Sequence, residues 1–318
     1  MEQSAGNRPL YFFCKAEINR VMMHFCVLRI CGILRDFTRD SFNIKIMNSF
    51  VYFVIETFQI HLKKPTLDAY WLAGFFEGDG CLSIAKTKKD PLVLSFILRQ
   101  ADPKVLYMVK DFLNCGAVYC DNRGYWTLSI RDKQGLLKVS KLLNGKLVLF
   151  KRLQQYKAWV CALNTKYGTN LVPLTTPAVL SMENAWLTGF ADAEGSFNIL
   201  LTKRKHNQKN RLRLRFYLDQ AHSFESMKLL QNWLGGTLHS KTKNHKFYHR
   251  LMLDSFNKSA DLVDYFTKFP PLTTCLKVRF IRYARVYRWY LLKEWQNRLK
   301  EIQHLIQLNK RLLKKQMS

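Results

Sequence analysis

The chain has 318 residues, 48% hydrophobic and 14% aromatic, enough apolar material to offset chain entropy and exclude disorder throughout. Lys and Arg number 51 against 23 Asp and Glu, a net charge of +28 that favours a polyanionic partner and leaves nucleic-acid-binding, ribosomal and membrane-surface proteins in contention. The cysteines stand singly, without a CxxC pair or a Cys/His cluster, which excludes a zinc module and suits reduced thiols in an intracellular compartment.

Residues 1–65 are basic and apolar, interrupted by Asp36, Asp40 and Glu56, and read as a leader, transit peptide or fused extension. The apolar stretch Ile46 to Ile55 is too short to span a bilayer, so no membrane partner is expected. Thr66, following Pro65, is placed to cap a helix that carries Trp71 to Asp79, with Asp68 complementing its dipole. Two alternating strands follow. The first buries Leu82 and Ile84 and turns Ser83, Ala85 and Thr87 outward, with Lys89 beyond; the second turns Ser95, Ile97 and Arg99 outward and ends at Gln100. A helix closed by Gly116, a strand pair through Tyr125 to Leu128, and a last helix opened by Lys151 complete a unit over 66–165. Residues 166–180, with Pro173 and Pro177, form a linker.

The same order then recurs over 181–290. Ser181 stands for Thr66, and Trp186 to Glu194 repeats Trp71 to Asp79 at an offset of 115. The next strand buries Phe197, Ile199 and Leu201 and offers Ser196, Asn198 and Thr202; Lys203, Arg204 and Lys205 occupy a hairpin. In the following strand Leu212, Leu214, Phe216 and Leu218 lie on one face, and Arg211, Arg213, Arg215 and Tyr217 on the other. Gln220 and Gly236 match Gln100 and Gly116 at an offset of 120, Tyr248 matches Tyr125 at 123, and Lys277 is set against Lys151 at 126. An offset that only grows is what duplication followed by loop insertion leaves. Residues 291–318 read as a basic amphipathic helix packed on the second unit.

The duplicated helix is where chemistry is expected. Gly74 and Gly78, and in the second copy Gly189 and Ala193, form small faces at i and i+4, which let two helix backbones meet closely. Each such glycine costs about 1 kcal/mol of helix propensity, so the natural partner of each helix is its own repeat. Asp79 and Glu194 then project together at the two helix C-termini, where they repel each other and the local dipoles unless a divalent cation is present; oxygen donors of this kind suit Mg²⁺. Glu77 and Asp192 are assigned a structural role, bonding nearby backbone. The outward strand faces suit phosphates and base edges, and a two-stranded ribbon fits a major groove.

The two ten-residue segments resemble the motif of the LAGLIDADG homing endonucleases in their double-motif, single-chain form, and the resemblance covers about residues 66–290. It implies an α+β fold of two pseudo-two-fold-related αββαββα units, with saddle-shaped antiparallel sheets and a central pair of motif helices. It implies hydrolysis of both strands of a long double-stranded DNA site, by a monomer using Mg²⁺ or another divalent cation such as Mn²⁺. By the resemblance Asp79 and Glu194 hold metal, joined by the backbone of Gly78 and Ala193; Gln100 and Gln220 organise water; and Lys151 and Lys277 are the catalytic basic residues, although the spacing from each to the next aromatic differs. Thr188 departs from the usual small apolar residue, and Glu194 from the commoner Asp. An organelle-encoded intron product is implied. Two rivals use the same scaffold: a maturase that binds its host intron RNA, and a non-catalytic DNA binder.

Overall fold

The computed structural model describes residues 67–317 except 89, 205, 207, 222, 244 and 245, so the 1–65 leader, Thr66 and Lys89 lie outside the described residues. The first unit runs α1 (Ala69–Asp79), β1 (Gly80–Ala85), β2 (Val93–Gln100), α2 (Pro103–Leu113), β3 (Ala117–Cys120), β4 (Trp126–Ile130), α3 (Lys133–Leu143) and α4 (Phe150–Tyr167). The second repeats it as α5 (Trp186–Glu194), β5 (Gly195–Lys203), β6 (Asn210–Ala221), α6 (Phe224–Leu234), β7 (Thr237–Lys243), β8 (Lys246–Leu253), α7 (Phe256–Lys268) and α8 (Thr274–Leu291). A tail helix, α9 (Leu299–Met317), follows. Each unit folds its strands into one antiparallel sheet, β1-β2-β4-β3 and β5-β6-β8-β7. The duplication is therefore structural.

Each unit carries one helix beyond the αββαββα pattern, α3 and α7, between the second hairpin and the last helix. Both have strong local starts. Asp132 accepts from Gly135 N at 2.6 Å, and Ser255 from Lys258 N at 3.2 Å, satisfying N–H groups that a first helical turn leaves unpaired. Two other boundaries shift. Asp68, expected within the first turn, is itself the cap of α1, accepting from Trp71 N at 2.7 Å. Ser181 bonds Glu183 N in a turn, and α5 starts at Trp186, whose N–H is taken by Asn184 Oδ1 at 3.0 Å. The first linker residue is Gly168, because α4 continues to Tyr167.

Alternation in the strands holds along β6 and fails near the end of β1, where Leu82 is buried but Ile84, expected inside, is exposed. Along β6, Leu212, Leu214, Phe216 and Leu218 are buried while Arg213, Arg215 and Tyr217 are half-buried and Arg211 is exposed. The buried faces of both sheets and the helices above them join one apolar cluster. Its centre is the helix pair α1 and α5. The tail helix α9 packs against α8 and β5, burying Ile302 and Leu305, and Arg282 donates to Asn309 Oδ1 at 2.9 Å. No helix among the described residues is long and apolar enough to cross a membrane.

Candidate active site

The site is built on how closely α1 and α5 meet. A Cβ placed on Gly74 would lie 2.1 Å from the Trp186 carbonyl oxygen, and one on Gly189 would lie 2.0 Å from that of Trp71. Backbone stands against backbone at both crossings, so only glycine fits. At the C-terminal end the small pair continues: a Cβ on Gly78 would come within 2.3 Å of the Ala193 Cβ and 3.0 Å of Glu194 Cγ. All four small residues thus lie where the two helices meet.

Two buried acids fasten this crossing. Trp71 Nε1 donates to Asp192 Oδ2 at 2.9 Å, and Trp186 Nε1 donates to Glu77 Oε2 at 2.7 Å, so each unit's indole bonds the other unit's carboxylate. Glu77 Oε1 also accepts from Val148 N and Leu149 N at 2.8 and 2.6 Å. Asp192 likewise accepts from Leu272 N at 2.9 Å, Thr273 N at 3.0 Å and Thr273 Oγ1 at 2.5 Å. The amides belong to the starts of α4 and α8, where the helix dipole favours an anion. Burial pushes Glu77 up to about 7 and Asp192 up to about 6, while these donors hold both down. The structural role read for this pair is what the geometry supports.

Two residues further on, Asp79 and Glu194 end α1 and α5. Gln100 Nε2 donates to Asp79 Oδ2 at 2.5 Å, placing the end of β2 beside the acid. Burial pushes Asp79 up to about 7. Burial, then the charges of Asp79 and Asp219, push Glu194 up to about 8. Each acid therefore resists ionisation, and Glu194 packs against Gly78, the residue before Asp79. A cleft of about 540 Å³ opens on Asp79, lined also by Gly78, Arg99, Gln100, Tyr125 and Ala193. The donor set fits a hard divalent cation: two carboxylates whose burial a cation would compensate, with Gly78 and Ala193 in the cleft wall beside them. Among the described residues no cluster of three or more His, Cys, Asp or Glu stands ready as a closed cage, so phosphate and water would complete the shell.

Besides Arg99 in the cleft wall, Arg152 stands beside these acids, where its neighbour Lys151 does not. Arg152 Nε donates to the Glu77 carbonyl at 2.9 Å and Nη2 to the Gly78 carbonyl at 3.2 Å, capping α1 and lowering the charge cost of Glu77, Asp79 and Glu194. Lys151 is exposed. The start of α4 is fixed by the Glu77 bonds at 148 and 149, and one step along a helix turns Lys151 by about 100° from Arg152. Lys277 is not its counterpart either. Val148 and Leu149 match Leu272 and Thr273 in their bonds, an offset of 124 rather than 126, which sets Lys151 against Cys275 and Arg152 against Leu276. In the second unit Arg279, buried on α8, instead reaches Asn198 Oδ1 at 3.0 Å. Gln220 bonds Ala221 N as Gln100 bonds Ala101 N, but no hydrogen bond joins it to Glu194.

The outward residues are placed unevenly. Ser83 and Ile97 are half-buried; Ala85 and Arg99 are exposed. Thr87 lies beyond β1, its hydroxyl bonded to Asp90 in the hairpin. Ser95 is buried, a correction: a short side chain on β2, between β1 and β4, is shielded from both sides. In the second sheet Ser196 is half-buried, Thr202 is exposed, and Arg204 lies in the hairpin with its N–H on Lys209 O. Arg215 Nη1 bonds Tyr217 Oη at 3.3 Å, which fixes both on the open face.

Comparison with known proteins gives this geometry its family. The profile described as LAGLIDADG endonuclease matches residues 72–163 and 187–287, both motif helices included. The chain belongs to that family. "Probable intron-encoded endonuclease 4" of Neurospora crassa is 31% identical over 236 residues, 73% of this chain and 42% of that protein. The "Intron-encoded RNA maturase bI4" of Saccharomyces cerevisiae is 26% identical over 51% of this chain and 24% of its own length. The chain thus spans less than half of these longer relatives. The LAGLIDADG meganuclease I-AabMI, solved bound to uncleaved DNA, superposes with a TM-score of 0.62 at 20% identity, covering 76% of this chain and 98% of that one. This LAGLIDADG chain shares the two-unit fold, and its unequal half-sites, with Arg152 on one side and Leu276 on the other, are a feature of its own sequence.

Proposed function

We propose that this chain is a site-specific DNA endonuclease that hydrolyses both strands of a long duplex target as a monomer, with Asp79 and Glu194 as its metal-holding acids. The observation that carries the reading is the meeting of α1 and α5 backbone to backbone, which delivers two hard-to-ionise carboxylates to one place in a chain of net charge +28. A divalent cation, Mg²⁺ or Mn²⁺, held by these acids and the Gly78 and Ala193 backbone would favour hydroxide at neutral pH and stabilise charge on the phosphate oxygens. The chain's own groups do the rest. Gln100 fixes one carboxylate oxygen of Asp79 in the wall of the cleft. Arg152 adds positive charge beside both acids. The β6 arginines track phosphate, and the latches Trp71–Asp192 and Trp186–Glu77 hold the two half-sites at a fixed spacing.

An intron-encoded origin accompanies this reading, supported by the names of the relatives, and a relative named for a cox1 intron of Schizosaccharomyces pombe supports an organellar gene. The alternative is a maturase acting on host intron RNA, which the yeast relative keeps open. Incubating the full chain and Mg²⁺ with DNA spanning the intron-free insertion site, then mapping ends, tests the proposal. Paired cuts on opposite strands are expected. Intact DNA together with protein-dependent splicing of the precursor RNA would reverse the assignment.

A further inference from the structure

We infer that Arg250 reads a guanine in the second half of the target, held in its reading pose by Asp219; this rests on the DNA-endonuclease reading above. Arg250 on β8 faces Asp219 on β6 across the ladder. Its Nε donates to Oδ1 and its Nη2 to Oδ2, both at 2.6 Å, and its guanidinium lies 4.6 Å from the centre of the Tyr217 ring. The pair sits on the open face of the sheet, in line with Tyr217 and Arg215, with side chains 39% and 37% exposed. An exposed ion pair contributes little to stability. Its effect here is geometric.

Arginine on a flexible stem loses rotamer freedom when it binds, and a guanidinium fixed beforehand by a carboxylate and an aromatic face loses less. Asp219 occupies the Nε edge and one hydrogen of Nη2. The Nη1–Nη2 edge keeps two parallel N–H groups, and among the described residues Nη1 has no hydrogen-bond partner. That edge matches the adjacent O6 and N7 acceptors of guanine; adenine presents an N6 donor in place of O6 and is rejected. A guanidinium already neutralised by a carboxylate is also a weak phosphate ligand, so its directional donors, not its charge, are what it offers to DNA. Asp219 lies between Gln220 and Leu218, and Leu218 pairs with Gly195, the residue directly after Glu194, which puts the guanine beside the proposed cleavage centre.

The first unit is built differently at the same place. Arg99 stands where Asp219 does and Thr127 where Arg250 does, the contact from Arg99 Nε to Thr127 Oγ1 being 3.4 Å. The arginine has changed strands between the units, so the two half-sites read different positions.

The test is selection of bound duplexes from a random-sequence library by the full wild-type chain and by Arg250→Lys, Arg250→Ala and Asp219→Asn. The wild type is expected to select a guanine next to the centre of its site. Arg250→Ala loses that preference by roughly tenfold, Arg250→Lys, which keeps charge and stem but not the planar fork, weakens it, and both keep the rest of the consensus; Asp219→Asn weakens it as well. A consensus unchanged in Arg250→Lys and Arg250→Ala overturns the assignment, as does an equal loss at every position, which marks a phosphate contact. A wild-type chain that selects no sequence at all sinks the endonuclease reading itself.

Discussion

Replacing Gly74 with Ala probes the crossing of the central helices. The added Cβ would stand 2.1 Å from the Trp186 carbonyl oxygen and 2.8 Å from the Phe190 nitrogen, and Cβ contacts under 3.0 Å do not persist in folded proteins. Both obstacles are backbone, so no rotamer change relieves them, and the helices must part by roughly 1 Å, an overpacking shift of the kind that costs ~1–3 kcal/mol. Parting them also stretches the Trp186–Glu77 hydrogen bond, which adds about 1 kcal/mol. Alanine's better helix propensity offsets about 1 kcal/mol. The net loss of about 2 kcal/mol lowers Tm by roughly 4–8 °C in a fold of this size, read by calorimetry or circular dichroism. Gly189→Ala meets the Trp71 carbonyl in the same way, and the double variant should lose less than the sum, because helices already parted accept the second methyl. An unchanged or raised Tm in Gly74→Ala would show that the helices do not meet as described.

Three further outcomes follow from the site. Arg152→Met should reduce cleavage by about 100-fold, the scale of losing one charged donor at a reacting centre, whereas Lys151→Met, at an exposed position, should stay within about twofold; the reverse ranking in single-turnover assays would restore Lys151. Arg213→Ala should weaken duplex binding and flatten the dependence of log K on log salt by about one unit, and an unaltered slope would remove Arg213 from the phosphate contacts. Asp79 and Glu194 are raised to about 7 and about 8. Between ordinary carboxylate values and these, the native state keeps protons that the unfolded chain has released, so stability falls as pH rises. In chelator, Tm should therefore be lower at about pH 8.5 than at about pH 6, and Mg²⁺ should raise it more at the higher pH, where the acids give up their protons to bind it. Equal Mg²⁺ shifts at both values would contradict the burial of these acids.

Much of the fold was legible because the duplication writes its signals twice. The pairs Gly74/Gly189 and Asp79/Glu194 stand in identical local settings, and β6 alternates over eight residues, so local pattern and tertiary role agree there. What was missed depends on contacts between distant segments. Lys151 and Arg152 are adjacent bases at a helix start, and only the bonds from Glu77 to residues 148 and 149 decide which one turns inward. A signal was present: Tyr156 and Trp159 match Phe280 and Tyr283 at 124, all four buried, and that register separates Lys151 from Lys277. Helices α3 and α7 have clear Asp132 and Ser255 caps, yet their closeness to the next helix merges the two patterns into one. Arg250 left no trace in one dimension, because its meaning comes from Asp219, 31 residues away and directly opposite in the sheet.

The most direct measurement is cleavage and binding side by side for Asp79→Asn and Glu194→Gln on a mapped target. Loss of double-strand cutting by at least a hundredfold in both, with the dissociation constant and Tm near wild type, is the expected result. Cutting retained in either variant, or binding and folding lost in step with it, would contradict the assignment of these two carboxylates to a shared metal site.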